Sequence, residues 1–239
     1  MVPPETFPAL HPMPSLRLAA SLGETLWTVA RLSRTASPRR SAQAWARRTL
    51  RLLGVETRLA APIPFGAQVW VSNHLSWMDP LVYLSLRPSM ALAKAEVADY
   101  PCIGHGARSL GLRFVNRADL FSRAAALRGM VRDLHAGEAF LLFPEGTTTT
   151  GDHLATLHEG GLRMAYRLGV RLLPLRIASP DSHYPWIGDD SLLPHLQRVA
   201  QSRRTRVAVH PGVVLDPAAW PDEDRWVDSI RRQLAPPPA

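Results

Sequence analysis

His74 and Asp79 stand five positions apart in Val69–Pro80, VWVSNHLSWMDP. An imidazole with a carboxylate in reach is the smallest unit that can act as a general base with an orienting acid. The apolar, β-branched run Val69–Ser72 predicts a buried strand. Asp79-Pro80 predicts a helix start, with Asp as N-cap and Pro at the first helical position. His74 then occupies the loop between strand and helix, where α/β folds display reacting groups. Taken alone, the pair equally fits a helix-capping Asp and an ordinary loop His, so it needs support from elsewhere in the chain.

That support comes from Phe143-Pro144-Glu145-Gly146-Thr147, which follows the apolar run 139–142. The layout repeats: a short buried strand, then a polar turn carrying an ionisable residue. The hydroxyls and backbone amides of Thr147–Thr150 offer donors for an anion or oxyanion. Between the two motifs lies Gly111–Arg117, GLRFVNR. Phe114-Val115 reads as a strand, and Arg117 emerges just after it with a planar fork suited to phosphate or carboxylate. Lys94, the only lysine, precedes this stretch.

In this order the pieces resemble the glycerolipid acyltransferase family, and in particular the bacterial lysophosphatidic acid acyltransferases. The first block of that family resembles Asn73–Pro80. The second resembles the stretch from Lys94-Ala95-Glu96 through Pro101, Gly104 and Gly111 to Phe114-Val115-Asn116-Arg117. The third resembles Phe143–Gly151, and the fourth Leu173-Pro174-Leu175. The resemblance spans roughly residues 45 to 215. There are departures. Thr148 stands where the family often has Arg, leucines flank Pro174 in place of β-branched residues, and Leu157-His158-Glu159 replaces an aromatic and basic stretch. They spare the His–Asp pair and leave the acceptor head group open.

The resemblance implies an acyl transfer in which His74 deprotonates the free hydroxyl of a lysolipid as it attacks a fatty acyl thioester. Asp79 orients the imidazole. Catalysis is assigned to His74 and Asp79, and substrate binding to Asn73, Lys94, Arg117, Glu145, Gly146 and Thr147. Arg117 is the expected phosphate clamp, while Glu145 positions either the acceptor or Arg117. Lysophosphatidic acid is the default acceptor, and a lyso-ornithine lipid or another lysolipid the alternative. The donor is acyl-coenzyme A or acyl carrier protein, with no cofactor and no metal. A serine hydrolase built on Ser72 or Ser76 lacks the G-x-S-x-G elbow. Scattered histidines and one Cys make a zinc site a poor fit. A non-enzymatic membrane-binding protein is the third class, for which a base would be superfluous.

The chain has 239 residues with 46% hydrophobic residues, enough for one sizeable core. One cysteine rules out an intramolecular disulfide and points to a reducing compartment. A formal charge of +8 calls for an anionic partner. Nucleic-acid motifs are absent, which leaves phosphate-bearing lipids, coenzyme A and an acidic membrane surface. Alternating strands and helices predict an α/β fold: a mixed, mostly parallel sheet flanked by helices. Helices are expected over 16–32 and 41–53, then 81–86, 121–136, 159–168 and 220–234. Strands are expected over 69–72, 91–93, 114–115, 139–143, 170–177 and 206–214. Residues 180–194, rich in Pro, Asp and Gly with Tyr184 and Trp186, are read as a loop that either borders the acyl groove or covers the core, with the cover preferred. Residues 1–60 are expected to form a tail and two amphipathic helices that dock on a membrane. Residues 61–239 are expected to form the catalytic domain. The expected location is the cytoplasmic face of the inner membrane, peripheral or monotopic.

Overall fold

The structure is a computed structural model that describes residues 14–32, 34–99, 104, 105, 108, 112–116 and 118–237. Arg117, Gly111, Pro101 and Cys102 therefore lie outside the described residues, as does nearly all of the proline-rich segment 1–14.

Seven strands form one sheet in the order β1-β7-β6-β2-β5-β3-β4. They are β1 (Val55–Leu59), β2 (Val69–Ser72), β3 (Met90–Lys94), β4 (Arg113–Val115), β5 (Phe140–Leu142), β6 (Leu172–Ala178) and β7 (Thr205–Pro211). Every neighbouring pair is parallel except β6 with β7. This is the mixed, mostly parallel sheet that the alternation predicts.

β2 lies between β5 and β6, with Val71 opposite both Leu142 and Pro174. All four β2 residues are buried, because both faces of the sheet are covered by helices. Trp70 joins a core with α2 (Pro38–Leu52), α3 (Asp79–Leu86) and α6 (Leu192–Gln201) through Ala46, Val82, Tyr83 and Val199. Val69 and Val71 face the opposite way. They pack with α4 (Leu120–His135), α5 (Gly160–Arg167) and α7 (Glu223–Leu234) through Met130, Leu162, Trp226 and Ile230. Along one strand the side chains thus alternate between two cores, which is the period-2 geometry of a fully buried strand.

Two elements were not anticipated. The sheet extends through β1, whose VETRL sequence lacks a continuous apolar run because the strand sits at the sheet edge with one buried residue. The expected division at residue 60 therefore cuts through the sheet, since Val55–Leu59 pairs with Thr205–Val209. The second is α6, which starts inside the expected loop. Its Pro194 falls in the first turn, where a missing N–H costs nothing.

α1 (Pro14–Leu32) and α2 are fastened to this scaffold by capping contacts. The Arg17 guanidinium donates to the carbonyls of Ala200, Ser202 and Arg203 at the C-terminal end of α6, at 3.4, 2.8 and 3.4 Å. Arg47 and Gln43 donate to Ser85 and Leu86 carbonyls at the end of α3. A cation suits a helix C-terminus both as donor to orphan carbonyls and as counter-charge to the dipole. Among the described residues no helix is long and apolar enough to cross a membrane.

Candidate active site

Because β2, β5 and β6 run parallel, their C-terminal ends meet at one rim of the sheet. The chain leaves β2 into Asn73-His74, leaves β5 into Phe143-Pro144-Glu145, and closes β6 with Ile177. The first and third motifs, some seventy residues apart in sequence, thereby become neighbours.

Asn73 is the hinge pin. Its Nδ2 donates to the Ile177 carbonyl at 2.9 Å and its Oδ1 accepts from the Ile177 amide at 2.7 Å. The side chain imitates one rung of a β-ladder and ties the end of β2 to β6. Asn73 is buried and its amide group is committed to the backbone.

His74 follows with its main chain held at both ends. Its N–H donates to Glu145 Oε1 at 2.7 Å, and its carbonyl accepts from the Thr149 amide at 2.8 Å. The imidazole stacks on Phe143, with ring centroids 4.2 Å apart and planes 23° apart, which fixes the ring plane. Nδ1 lies 2.8 Å from Asp79 Oδ2. The side chain remains 14% exposed while Asp79 is fully buried. With Nδ1 turned inward as donor, Nε2 is the nitrogen left to act as a base toward solvent or substrate.

Asp79 begins α3 but does not cap it as expected; Met78 is the N-cap, and no side-chain cap is made. The carboxylate turns back into its own loop instead. Oδ2 accepts from the amides of Leu75 and Ser76, at 2.6 and 2.9 Å, as well as from His74. Oδ1 accepts from the Tyr184 hydroxyl at 2.7 Å. Four donors thus surround a carboxylate with no contact with water, the arrangement that lets a charge be buried.

Glu145 is 3% exposed. Its Oε2 accepts from the Ala155 amide at 2.8 Å while Oε1 holds His74. The residue braces the backbone of two loops against one another. Burial pushes its carboxyl pKa up, and the two amide donors oppose that shift. Gly146 completes a turn, donating its N–H to Phe143 O at 3.1 Å with φ of 65°, a conformation that favours glycine. Of the two expected amide donors, Gly146 is therefore already engaged. The amides of Thr147 and Thr148 make no backbone hydrogen bond among the described residues. Thr148 donates its hydroxyl to the Trp186 carbonyl. Lys94, at the end of β3, is half exposed and pairs with Glu96 at 3.0 Å. Arg117 lies outside the described residues.

Sequence reasoning preferred a cover for residues 180–194 over a border of the acyl groove. The structure brings that segment into the site: Tyr184 reaches Asp79, and the Trp186 amide donates to Leu75 O at 2.8 Å. An aromatic carrying a polar group in a Pro- and Asp-rich loop was the available signal, since a buried tyrosine needs a hydrogen-bond partner. His195 of α6 was also missed. It is buried, accepts from Trp77 Nε1 at Nδ1 (2.9 Å) and donates from Nε2 to the Tyr184 carbonyl (2.9 Å).

Several known proteins are similar to this chain. A lyso-ornithine lipid O-acyltransferase of Pseudomonas aeruginosa is 37% identical over 170 residues, covering 69% of this chain and 66% of that protein. A protein of the same name from Rhizobium meliloti is 30% identical over 194 residues, covering 72% of this chain and 65% of its own length. The chain thus spans about two thirds of each of these relatives. A 1-acyl-sn-glycerol-3-phosphate acyltransferase of Borreliella burgdorferi is 29% identical over 116 residues, covering 48% of this chain and 46% of that protein. The crystal structure of the 1-acyl-sn-glycerophosphate acyltransferase PlsC from Thermotoga maritima superposes with a TM-score of 0.65 at 20% identity. It covers 91% of this chain and 96% of that one, so the fold is shared. The acyltransferase family model matches residues 55–178, which begin at β1 and end with β6 and so enclose the His74–Asp79 loop and the Glu145 turn. By that match, over more than half of its length, the chain belongs to the acyltransferase family.

Proposed function

We propose that the protein transfers a fatty acyl group from a thioester to the free hydroxyl of a lysolipid, with His74 as general base. The observation that carries this reading is the His74–Asp79 contact: Nδ1 held by a buried, four-fold hydrogen-bonded carboxylate, which leaves Nε2 as the base. The lipid hydroxyl gives its proton to Nε2 as its oxygen attacks the thioester carbonyl. Collapse of the tetrahedral intermediate breaks the C–S bond, and the leaving thiolate takes the proton from the imidazolium. The products are an ester and a free thiol. Asp79 stabilises the imidazolium between these steps. The Thr147 amide, the expected donor left without a backbone partner among the described residues, would serve the oxyanion, with the Thr148 amide beside it. No enzyme nucleophile is required, because the acceptor supplies the alcohol.

Lyso-ornithine lipid is the acceptor this reading places first. Two relatives above bear that substrate in their names. Thr148, at the place where the family often carries Arg, is neutral and engaged with Trp186. Neither feature calls for a phosphate. Lysophosphatidic acid, the expectation from motif order, is the second acceptor. It is favoured by Arg117 as a clamp and by the name of the Borreliella relative. The donor is acyl-coenzyme A or acyl carrier protein, and an anionic carrier of either kind suits a chain of charge +8.

The surface of α1 supports work at a bilayer; the cytoplasmic face of the inner membrane is the location this reading proposes. Leu16, Leu22, Leu26 and Trp27 are all more than half exposed, whereas Arg17, Ser21 and Thr28 on the opposite side are buried. The helix turns its polar stripe inward and its apolar stripe outward, the reverse of a surface helix of a soluble domain. Arg31, Arg34 and Arg48 line a cleft beside Trp27 where α1 meets α2. Apolar side chains bordered by arginines suit anionic lipid.

The test is thiol release and lipid product with purified protein, one labelled acyl thioester and a panel of lysolipids. Thiol and ester appearing together, only when acceptor is present, is the expected result. Thiol release without acceptor would identify a hydrolase instead. If lyso-ornithine lipid and lysophosphatidic acid are both acylated, Arg117→Ala should reduce turnover of the phosphate-bearing acceptor more strongly; equal losses would remove Arg117 as a clamp.

A further inference from the structure

Among the described residues Asp79 Oδ1 is held by a single donor, the hydroxyl of Tyr184, at 2.7 Å. Both residues are fully buried. Burial and the adjacent carboxylate push the phenol's pKa well above its ordinary value, so the hydroxyl keeps its proton and remains the donor. Tyr184 is itself clamped. Its carbonyl accepts from His195 Nε2 at 2.9 Å, its amide donates to Asp181 O at 3.0 Å, and the following Trp186 amide donates to Leu75 O at 2.8 Å. His195 in turn accepts at Nδ1 from Trp77 Nε1 at 2.9 Å. Trp77 belongs to the same loop as His74. The chain of contacts therefore closes on itself: catalytic loop, α6 histidine, tyrosine backbone, tyrosine hydroxyl, catalytic carboxylate.

We propose that Tyr184 is a positioning residue that sets the orientation of Asp79 and the share of its charge that faces His74, with His195 and Trp77 holding the tyrosine in place. The inference rests on the acyl-transfer reading and deepens it. The physical argument has two parts. A carboxylate gripped at both oxygens cannot swing about its Cβ–Cγ bond, so Oδ2 stays on Nδ1. A phenol O–H on Oδ1 also draws off part of the negative charge that would otherwise face the imidazolium across Nδ1. When the Tyr184 hydroxyl is removed, Oδ2 is still held by the Leu75 and Ser76 amides, so Asp79 keeps its contact with Nδ1 and more of its charge faces the ring. The charge effect therefore decides the direction in which the pH profile moves. A residue that only propped up the loop would loosen the His–Asp contact on removal and move the profile the other way.

The experiment is a pH profile of kcat/KM for Tyr184→Phe, read by thiol release with the acceptor that the parental protein uses. Parental activity is measured first; if it is absent, the acyl-transfer reading fails and not this one. The expected result is a fall in kcat of about tenfold, with KM for donor and acceptor within about twofold. The acid limb should move to higher pH by roughly half a unit. Parental kcat, or an acid limb that stays in place or moves to lower pH, would overturn the proposal. Should Tyr184→Phe fail to fold, the complementary measurement leaves no cavity: the protein is produced with 3-fluorotyrosine at its four tyrosines. The more acidic phenol is a stronger donor, so the acid limb should move to lower pH. An unmoved limb, or one displaced to higher pH, would overturn the proposal in the same way.

Discussion

The loop at His74–Asp79 and the helix α1 both reverse the usual partition of polar and apolar groups, but they do so in opposite senses. In the loop, polar side chains go inside. Asn73, Ser76, Asp79 and Glu145 are all buried, and Asn73, Asp79 and Glu145 each meet backbone donors or acceptors at hydrogen-bond distance. On α1 apolar side chains go outside, with Leu22, Leu26 and Trp27 left facing away from the core. The first reversal is complete within the chain, because the buried polar atoms find partners there. The second finds no apolar cover among the described residues, and it is the face the proposed bilayer would take. A self-satisfied reversal can hold reacting groups still; an exposed apolar one suits an outside surface.

The sharpest way to break this comparison is to separate chemistry from docking. His74→Ala removes the base and leaves the rest of the loop's hydrogen bonds in place, since His74 is tied to Glu145 and Thr149 through its main chain. Turnover should fall by about 10²–10⁴-fold while sedimentation with vesicles of anionic lipid is unchanged. Parental turnover by this variant would remove His74 from the mechanism. The converse variant carries Leu22→Glu, Leu26→Glu and Trp27→Glu. Fully burying one such side chain is worth roughly 1.5–3 kcal/mol, so vesicle binding should weaken by more than about 100-fold. Turnover of a short-chain, monomeric lysolipid should stay near parental. Undiminished vesicle binding would mean that the outward face of α1 is not where the bilayer sits.

A smaller effect sharpens the role of Glu145. Glu145→Gln keeps the size of the side chain but replaces one acceptor by a donor, so either the His74 or the Ala155 amide loses its partner. An orphaned buried donor costs about 1–3 kcal/mol. The expected outcome is a drop in thermal stability of that order, with turnover reduced by roughly tenfold as the His74 backbone shifts. If turnover fell with no change in melting temperature, Glu145 would be acting on substrate rather than on the loop.

How much of this was legible beforehand follows from which interactions are local. The strand at 69–72, the loop histidine and the helix at Asp79 form one continuous stretch, so hydrophobic periodicity and Pro chemistry located them. The pairing of His74 with Asp79 came from spacing and motif order. What escaped was set by tertiary contacts. Tyr184 is 105 residues from Asp79 and His195 is 118 from Trp77; no local pattern records either contact. Glu145 was identified as a site residue, but its two backbone partners were not, because an amide N–H has no sequence signature. β1 hid because an edge strand with one buried residue lacks the apolar run of a central one. α6 hid behind Pro194, a residue that breaks a helix interior and is welcome in its first turn. The outward apolar face of α1 was likewise invisible: periodicity shows that a helix has two faces, and only the fold shows which one the core takes.

The smallest expected effect distinguishes the two regions by pH. Burial lowers the pKa of His195 below its ordinary value, and that of His210 on β7 shifts the same way. As pH falls through about 6.5 the unfolded chain takes up a proton at each of these histidines and the folded chain lags behind. The unfolded state then binds more protons, so stability declines as pH drops below that point, until the folded histidines also protonate. Glu145 acts in the opposite sense. Its raised folded pKa means that the folded protein binds a proton before the unfolded one does, so between that pKa and about 4.5 acidification favours the folded state. His195→Asn keeps an acceptor for Trp77 Nε1 and removes the titration. Its unfolding free energy, followed by denaturant melts from pH 7 to 5.5, should start lower than the parental value and fall less steeply. The slope difference is bounded by one proton, about 1.4 kcal/mol per pH unit. The α1 triple variant leaves every buried imidazole in place, so its slope should match the parental one. A parental slope in His195→Asn would instead mean that this histidine titrates alike in both states, and that the brace behind Tyr184 contributes nothing to the pH dependence of the fold.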